Sequence, residues 1–324
     1  MASELNLSES ERLELWNKSR FEAFLPSTVY LVLCIVVGVA GNGVVIYIYR
    51  FRLHGKHDGR YFIPHLAVAD LFAVLASGEL HIMNNLYPVT YRFEKLCKWN
   101  FVFGFVATVF STCILLLIAV QRYLKVCRPF GRQMVLFWRR FSLLLSLLMT
   151  VILGVPSYFT FGLEKVSNLE LNVTGSACRR LTTTTQTLSL IHATVCTMLV
   201  VTEGALLIVL YVNISKLIFQ QKDQNLGKPD TKKTNISKMF MVITMIYLVS
   251  FLPRMITFLL EGTKAGLWET ISVEAYGVVR MVELLYIVNH VVNPFVYAFM
   301  DVKFVKEFKQ VFSCTKPNCD PPEM

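Results

Sequence analysis

The groups best equipped for chemistry in this chain are ionisable side chains set inside long uncharged stretches. Asp70 closes the run Leu66-Ala-Val-Ala-Asp70, Arg122 stands in Gln121-Arg122-Tyr123, Glu203 interrupts an apolar stretch, and Arg254 directly follows Pro253. An ionisable group near the middle of a bilayer costs about 3 kcal/mol on insertion scales, so each needs a partner or water and marks a place where something is bound or switched. Catalysis fits poorly. The sequence holds no His-Glu-x-x-His repeat, no Gly-x-Ser-x-Gly elbow and no phosphate loop. The chemistry on offer is ion pairing, hydrogen bonding and exchange of partners, and an enzyme is not expected.

The elements that must position these groups are membrane helices. Hydrophobic residues make up 54% of the 324-residue chain and charged ones 17%, too apolar for a pair of soluble domains. Uncharged stretches run from Ala23 to Tyr49, Trp99 to Val120, Phe141 to Leu163, Leu181 to Thr202, Met239 to Pro253 and Leu284 to Met300. Tyr61 to Leu86 joins them if two acids are tolerated, and Arg254 to Leu260 completes the sixth span. Crossing a hydrocarbon layer takes about 20 apolar residues, so the fold class is an all-α membrane protein, a seven-transmembrane helix bundle.

The net charge of +10 could point to nucleic acid, but its placement points to topology. Arg50, Arg52, Lys56 and Arg60 follow span one, and Lys125, Arg128, Arg132, Arg139 and Arg140 follow span three. Further clusters follow spans five and seven, while the alternate connections are poorer in Lys and Arg. By the positive-inside rule the N-terminus lies outside and the C-terminus in the cytoplasm, and no nucleic-acid partner is expected. Met1 to Glu22 is polar and acidic, so no cleavable signal peptide is expected there. The sequons at Asn6, Asn17 and Asn172 fall on the outer side and are the glycosylation candidates. Cys97 and Cys178 are the cysteines in outer positions, where oxidation is permitted, and are expected to form a disulfide.

Five short patterns then occur in order: Gly41-Asn42-Gly43, Leu66-Ala-Val-Ala-Asp70, Gln121-Arg122-Tyr123, Phe251-Leu-Pro253 and Asn293-Pro294-Phe-Val-Tyr297. With Cys97 at the head of span three, the chain from about Phe24 to Cys319 resembles the rhodopsin-like (class A) G-protein-coupled receptors. The resemblance implies a water-filled pocket around Asp70, Ser111, Asn293 and Asn42 that can hold a sodium ion as modulator. The alternative is a protonated Asp70 satisfied by hydrogen bonds without an ion. It also implies that Arg122 is a switch meeting a heterotrimeric G protein, that Tyr211 and Tyr297 swing inward on activation, and that Pro253 and Pro294 kink spans six and seven.

Several positions depart from that pattern. Gln121 replaces the acid that would hold Arg122, and Lys232 and Lys233 occupy the stretch where span six would supply a second acid. Weaker resting contacts raise the expectation of ligand-independent signalling, against the alternative that other contacts compensate. Glu203 stands where span five usually has proline, and Phe251 where span six has tryptophan. Span seven lacks the lysine of opsins, and Gly104 takes the place of the aspartate of amine receptors.

The outer halves of the spans carry Glu79, His81, His192, Arg254, Arg280 and Glu283, a mixed-charge set similar to that of peptide-receptor members. Arg254 is the candidate for pairing with an acidic or C-terminal group of an extracellular peptide, and Arg280 and Glu283 could instead pair with one another. After span seven, Phe304, Phe308, Val311 and Phe312 fall at helical spacing with lysines between, an amphipathic helix on the inner lipid surface. Cys314 and Cys319 follow it as palmitoylation candidates. The expected organisation is an extracellular tail over 1–23, the receptor domain over 24–300 and a cytoplasmic helix and tail over 301–324, in the plasma membrane. A non-signalling receptor-like protein is the alternative, and a transporter or channel a weaker one, because neither an inverted repeat nor a line of charges across spans is visible.

Overall fold

Uncharged runs of the expected lengths become helices in the computed structural model, which describes residues 7–53, 60–181, 186–223, 231–263 and 271–313. Among these, seven helical segments are long and apolar enough to cross a membrane. They comprise Glu9–Tyr47, Ile63–Leu86, Glu94–Cys127, Leu136–Gly154, Gln186–Asp223, Thr231–Thr263 and a seventh in three consecutive pieces. Those pieces are the α-helix Val273–Glu283, the tighter turn Leu284–Ile287 and the α-helix Val288–Met300.

The first helix starts well before the expected boundary at residue 23. Ser8 and Glu11 cap it reciprocally: the Ser8 side chain accepts from the Glu11 N–H at 3.3 Å, and Glu11 accepts from the Ser8 N–H at 2.8 Å. Two orphan donors are satisfied at once, so the acidic segment read as a tail is helical from Glu9. Its Trp16 buries against Val89, Val166 and Val173, tying the extension to the loop after the second helix and to the two strands that carry Val166 and Val173.

The third helix stands at the centre, touching the second, fourth, fifth and sixth, and the seventh closes the ring against the first and sixth. Leu66, Ile114, Leu115, Ile118, Ile243 and Ile287 fill the core between them. Close approach of the first and seventh helices depends on Gly41, where a Cβ would stand 2.9 Å from Pro294 Cγ. Outward, Leu33, Phe72, Ile152 and Val249 are exposed. With the helical backbone bonded internally, such an apolar surface is stable only against hydrocarbon, and the chain is a multi-pass membrane protein.

Two strands close one end of the bundle. β1 (Phe161–Asn168) and β2 (Val173–Arg180) pair antiparallel, with Leu163 opposite Cys178. Asn172 takes a positive φ of 49° in their turn, and Asn168 Oδ1 accepts from the N–H groups of Glu170 and Leu171 at 3.0 and 3.1 Å. The Cys97–Cys178 disulfide pins the hairpin to the head of the third helix. At Gly175 a Cβ would lie 2.3 Å from Val89 O, so only glycine allows β2 to lie on the loop between the second and third helices.

At the opposite end the chain turns at Asp301 into the helix Val302–Ser313. Phe304 is buried there and stacks on Tyr49 at 5.8 Å, in keeping with the expected amphipathic helix. Asn6, Cys314 and Cys319 lie outside the described residues.

Candidate ligand cleft and buried polar core

The hairpin end opens into a cleft of about 810 Å³, walled by Trp16 and Arg20 of the first helix, Arg179 and Arg180 of β2, and His81, Arg254, Arg280 and Glu283. Five arginines to one glutamate make its field positive. Beneath it lies an apolar chamber of about 720 Å³ lined by Phe101, Phe105, Phe161, Phe251, Met255, Phe258 and Tyr286. His81, Phe101, Phe161 and Arg254 belong to both, so the two spaces join. Such a site holds a charged group above and an apolar one below.

Of the six polar groups expected here, Arg254, His81, Arg280 and Glu283 converge. Arg254 Nη1 pairs with Glu283 Oε1 across the sixth and seventh helices, and Arg280 Nη1 lies 3.5 Å from the same oxygen. Arg280 also donates through Nε to Asn85 Oδ1 at 3.1 Å, with Nη2 3.0 Å from His81 Nδ1. His81 Nε2 stands 3.0 Å from the Tyr286 hydroxyl, and the Tyr286 ring meets Phe251 edge-on at 5.6 Å. A ligand touching Arg254 is therefore linked through three helices to the aromatic floor.

Two expectations need correcting. Glu79 does not join the cleft; its side chain is exposed, because helical phase turns Ser77, His81 and Asn85 inward and leaves Glu79 on the other face. His192 stands behind the chamber wall, its Nδ1 3.2 Å from Thr160 Oγ1 and its ring against Phe105 and Phe258. Sequence reasoning missed Arg20 and Arg180. Arg20 lies 4.8 Å over the Tyr276 ring, in the stretch read as a tail. Arg180 lies 4.2 Å over Phe258, and its place two residues after Cys178 was the available signal.

Deeper, Asp70 is fully buried and accepts three bonds: Ser111 Oγ at 2.5 Å and His290 Nδ1 at 2.8 Å on Oδ1, and Asn293 Nδ2 at 2.7 Å on Oδ2. Ser111 and Asn293 meet the acid as expected, but Asn42 does not. Its amide donates instead to the carbonyls of His290 at 2.8 Å and Gly38 at 3.0 Å, fixing the backbone that carries the imidazole. His290 was missed, although it precedes Asn293 by three residues and so shares its helix face. Nearby, Glu203 is buried and accepts from Thr112 Oγ1 at 3.0 Å, joining the third and fifth helices.

At the far end Gln121 and Arg122 are buried and Tyr123 half-buried. Among the described residues the buried Nε and Nη2 of Arg122 have no hydrogen-bond partner, and its guanidinium sits 5.3 Å over the Phe240 ring of the sixth helix. Tyr297 packs edge-on against Phe240 and Tyr49 at 6.4 and 6.1 Å. Among the described residues the buried hydroxyls of Tyr211 and Tyr297 have no hydrogen-bond partner. Pro253 and Pro294 lie inside their helices, each removing one backbone donor.

Of the sequons, Asn172 is exposed at the hairpin turn. Asn17 instead accepts from Thr90 Oγ1 at 2.9 Å and donates from Nδ2 to Leu86 O at 3.3 Å, so the nitrogen that would carry a glycan is engaged.

The sequence profile of a family described as 7 transmembrane receptor (rhodopsin family) matches residues 41–297. The chain is similar to Neuromedin-U receptor 2 of Rattus norvegicus, with 23% identity over 340 residues, covering 98% of this chain and 82% of that one. It is 22% identical over 311 residues to a QRFP-like peptide receptor of Branchiostoma floridae, covering 91% and 80% of the two chains. A Gq-coupled rhodopsin of Mizuhopecten yessoensis is 23% identical over 310 residues, covering 89% of this chain, which spans 60% of that protein's length.

Proposed function

The chain belongs to the rhodopsin family of seven-transmembrane receptors, and on that premise we propose that it binds an extracellular peptide through an anionic group and activates a heterotrimeric G protein. The observation that carries the reading is the arginine-rich cleft above an apolar chamber, which suits a terminal carboxylate with a bulky side chain beside it. The name of the Branchiostoma floridae peptide receptor supports a peptide, and that of the Mizuhopecten yessoensis protein supports G-protein coupling.

The hairpin end faces outside in this reading, with Asn172 as the glycan acceptor and the plasma membrane as location. Ligand contact at Arg254 disturbs the Glu283, Arg280 and His81 set, and Tyr286 passes the change to Phe251. At the other end Arg122 leaves Phe240 to meet the G protein, while the Tyr211 and Tyr297 hydroxyls find partners. A guanidinium held by a ring rather than a carboxylate supports raised basal signalling as well.

The test is G-protein dissociation in cells given a peptide library, each peptide with a free or an amidated C-terminus. Free-acid peptides should be the active ones, and Arg254→Ala should lower their potency at least tenfold, the loss of one charge-assisted bond. Activity of amidated peptides alone, or full potency in Arg254→Ala, would refute the anionic contact. No coupling to any G protein would leave a non-signalling receptor-like protein.

A further inference from the structure

The family resemblance offers Asp70 a sodium ion, and the geometry points to a different partner: we infer that the His290 imidazole occupies the cation's place against Asp70, so that the pocket is closed by the chain itself and does not depend on sodium.

A hard cation is held by oxygen lone pairs, several at a time. At Asp70 itself every bond comes from a hydrogen donor, although the buried Asn42 and Asn293 side-chain oxygens have no hydrogen-bond partner among the described residues. Ser111 Oγ and His290 Nδ1 both converge on Oδ1, and the Asn293 amide turns its nitrogen, not its oxygen, to Oδ2. Two of the three neighbours are nitrogens, which offer no lone pair to sodium while they donate. A cation at Oδ1 would have to displace the imidazole of His290. Its side chain is fully buried, its ring lies against Tyr286, and its carbonyl is held by Asn42 Nδ2 at 2.8 Å.

The imidazole also supplies what an ion would supply. An acid buried without a counter-group costs several kcal/mol, whereas His290 Nδ1, 2.8 Å from Oδ1, gives Asp70 a hydrogen-bonding partner at that oxygen. The arrangement follows from sequence, because His290 and Asn293 lie one helical turn apart and face Asp70 together.

Thermal unfolding of the purified full-length protein, in sodium chloride against N-methyl-D-glucamine chloride at equal ionic strength, tests this without any ligand. Wild-type curves should coincide in the two salts. His290→Ser removes the imidazole, leaves a hydroxyl oxygen, and should gain a sodium-specific rise in melting temperature of a few degrees that saturates with concentration. That gain should vanish in His290→Ser/Asp70→Asn. A saturable sodium-specific rise in the wild type, lost in Asp70→Asn, would overturn the inference even if His290→Ser does not fold. A His290→Ser protein that folds but remains blind to sodium would overturn it too.

Discussion

Arg60 and Asp301 form a buried, two-pronged ion pair, Nε to Oδ2 at 2.6 Å and Nη2 to Oδ1 at 2.7 Å. The pair joins the start of the second helix to the turn that follows the seventh. Asp301 also accepts from the Tyr49 hydroxyl at 2.7 Å and from the N–H groups of Lys303 and Phe304, so one carboxylate both clamps the bundle and caps the last helix. Burial alone would raise the Asp301 carboxyl, but the bonds and charge of Arg60 outweigh it and hold the group below its ordinary value.

Asp301→Asn should therefore destabilise the protein by about 3–5 kcal/mol, since it leaves Arg60 buried without its counter-charge. The pH dependence has a definite sign. A depressed carboxyl contributes stability above its unfolded value and loses it as pH falls through the folded one, so the helix Val302–Ser313 should detach in acid and not in alkali. Limited proteolysis of that helix against pH checks this, and an unchanged acid profile in Asp301→Asn would refute the assignment.

One carboxylate, Glu283, serves two arginines, and this makes the cleft asymmetric to substitution. Arg254→Ala leaves Glu283 with Arg280, so the stability cost should be about 1–2 kcal/mol. Glu283→Gln leaves two guanidiniums facing each other in a half-enclosed site, and about 3–5 kcal/mol is expected. Thermal unfolding of the two variants decides it, and equal costs would mean that the pairs do not share the acid.

The seven helices were legible because hydrocarbon imposes a length and a charge pattern that survive in a single sequence. Asp70, Ser111 and Asn293 were legible through motifs, and Cys97 and Cys178 through compartment. Three things were not. The helical extension from Glu9 was hidden because an acidic, polar composition says little against a local cap made by Ser8 and Glu11. The outward phase of Glu79 was obscured because its charge alone was weighed, although a spacing of nine residues from Asp70, about two and a half helical turns, sets it opposite that acid. The partner of Asp70 was obscured because histidine is not part of the pattern, although its spacing from Asn293 was in view.

At the other end, Gln121→Glu should lower ligand-independent signalling. A carboxylate beside Arg122 adds a resting contact worth about 1 kcal/mol, which shifts a two-state population about fivefold. Second-messenger levels in cells expressing matched amounts of each protein read this directly. Phe240→Ala should act in the opposite direction, because it removes the ring under the guanidinium. Equal basal levels in all three would show that other contacts hold the resting state.

The Cys97–Cys178 disulfide encloses a chain separation of 81 residues, and loop-closure entropy alone assigns it about 4.5 kcal/mol. Replacing both cysteines with serine should lower the unfolding midpoint. It should also loosen β2, which carries Arg179 and Arg180 on the cleft wall. Hydrogen exchange should then rise in Val173–Arg180 while the core around Leu115 and Ile243 keeps its protection. Loss of protection throughout would mean that the bridge supports the whole bundle.

Glu203 and Thr112 offer a test of how the third and fifth helices are joined. Thr112→Val removes the donor and leaves a buried carboxyl oxygen with one partner fewer, at a cost of about 1–3 kcal/mol. Glu203→Leu removes the acceptor, and the single proton of the threonine hydroxyl is then free for the Val109 carbonyl, 2.9 Å away, so a smaller loss is expected. Once the acid is gone the donor has little left to contribute there, and the double variant should be no worse than Glu203→Leu alone. The coupling energy from the cycle, measured by thermal unfolding, should thus be close to the whole cost of Thr112→Val. Additive losses would show that the 3.0 Å contact carries no free energy and that Glu203 is held by packing alone.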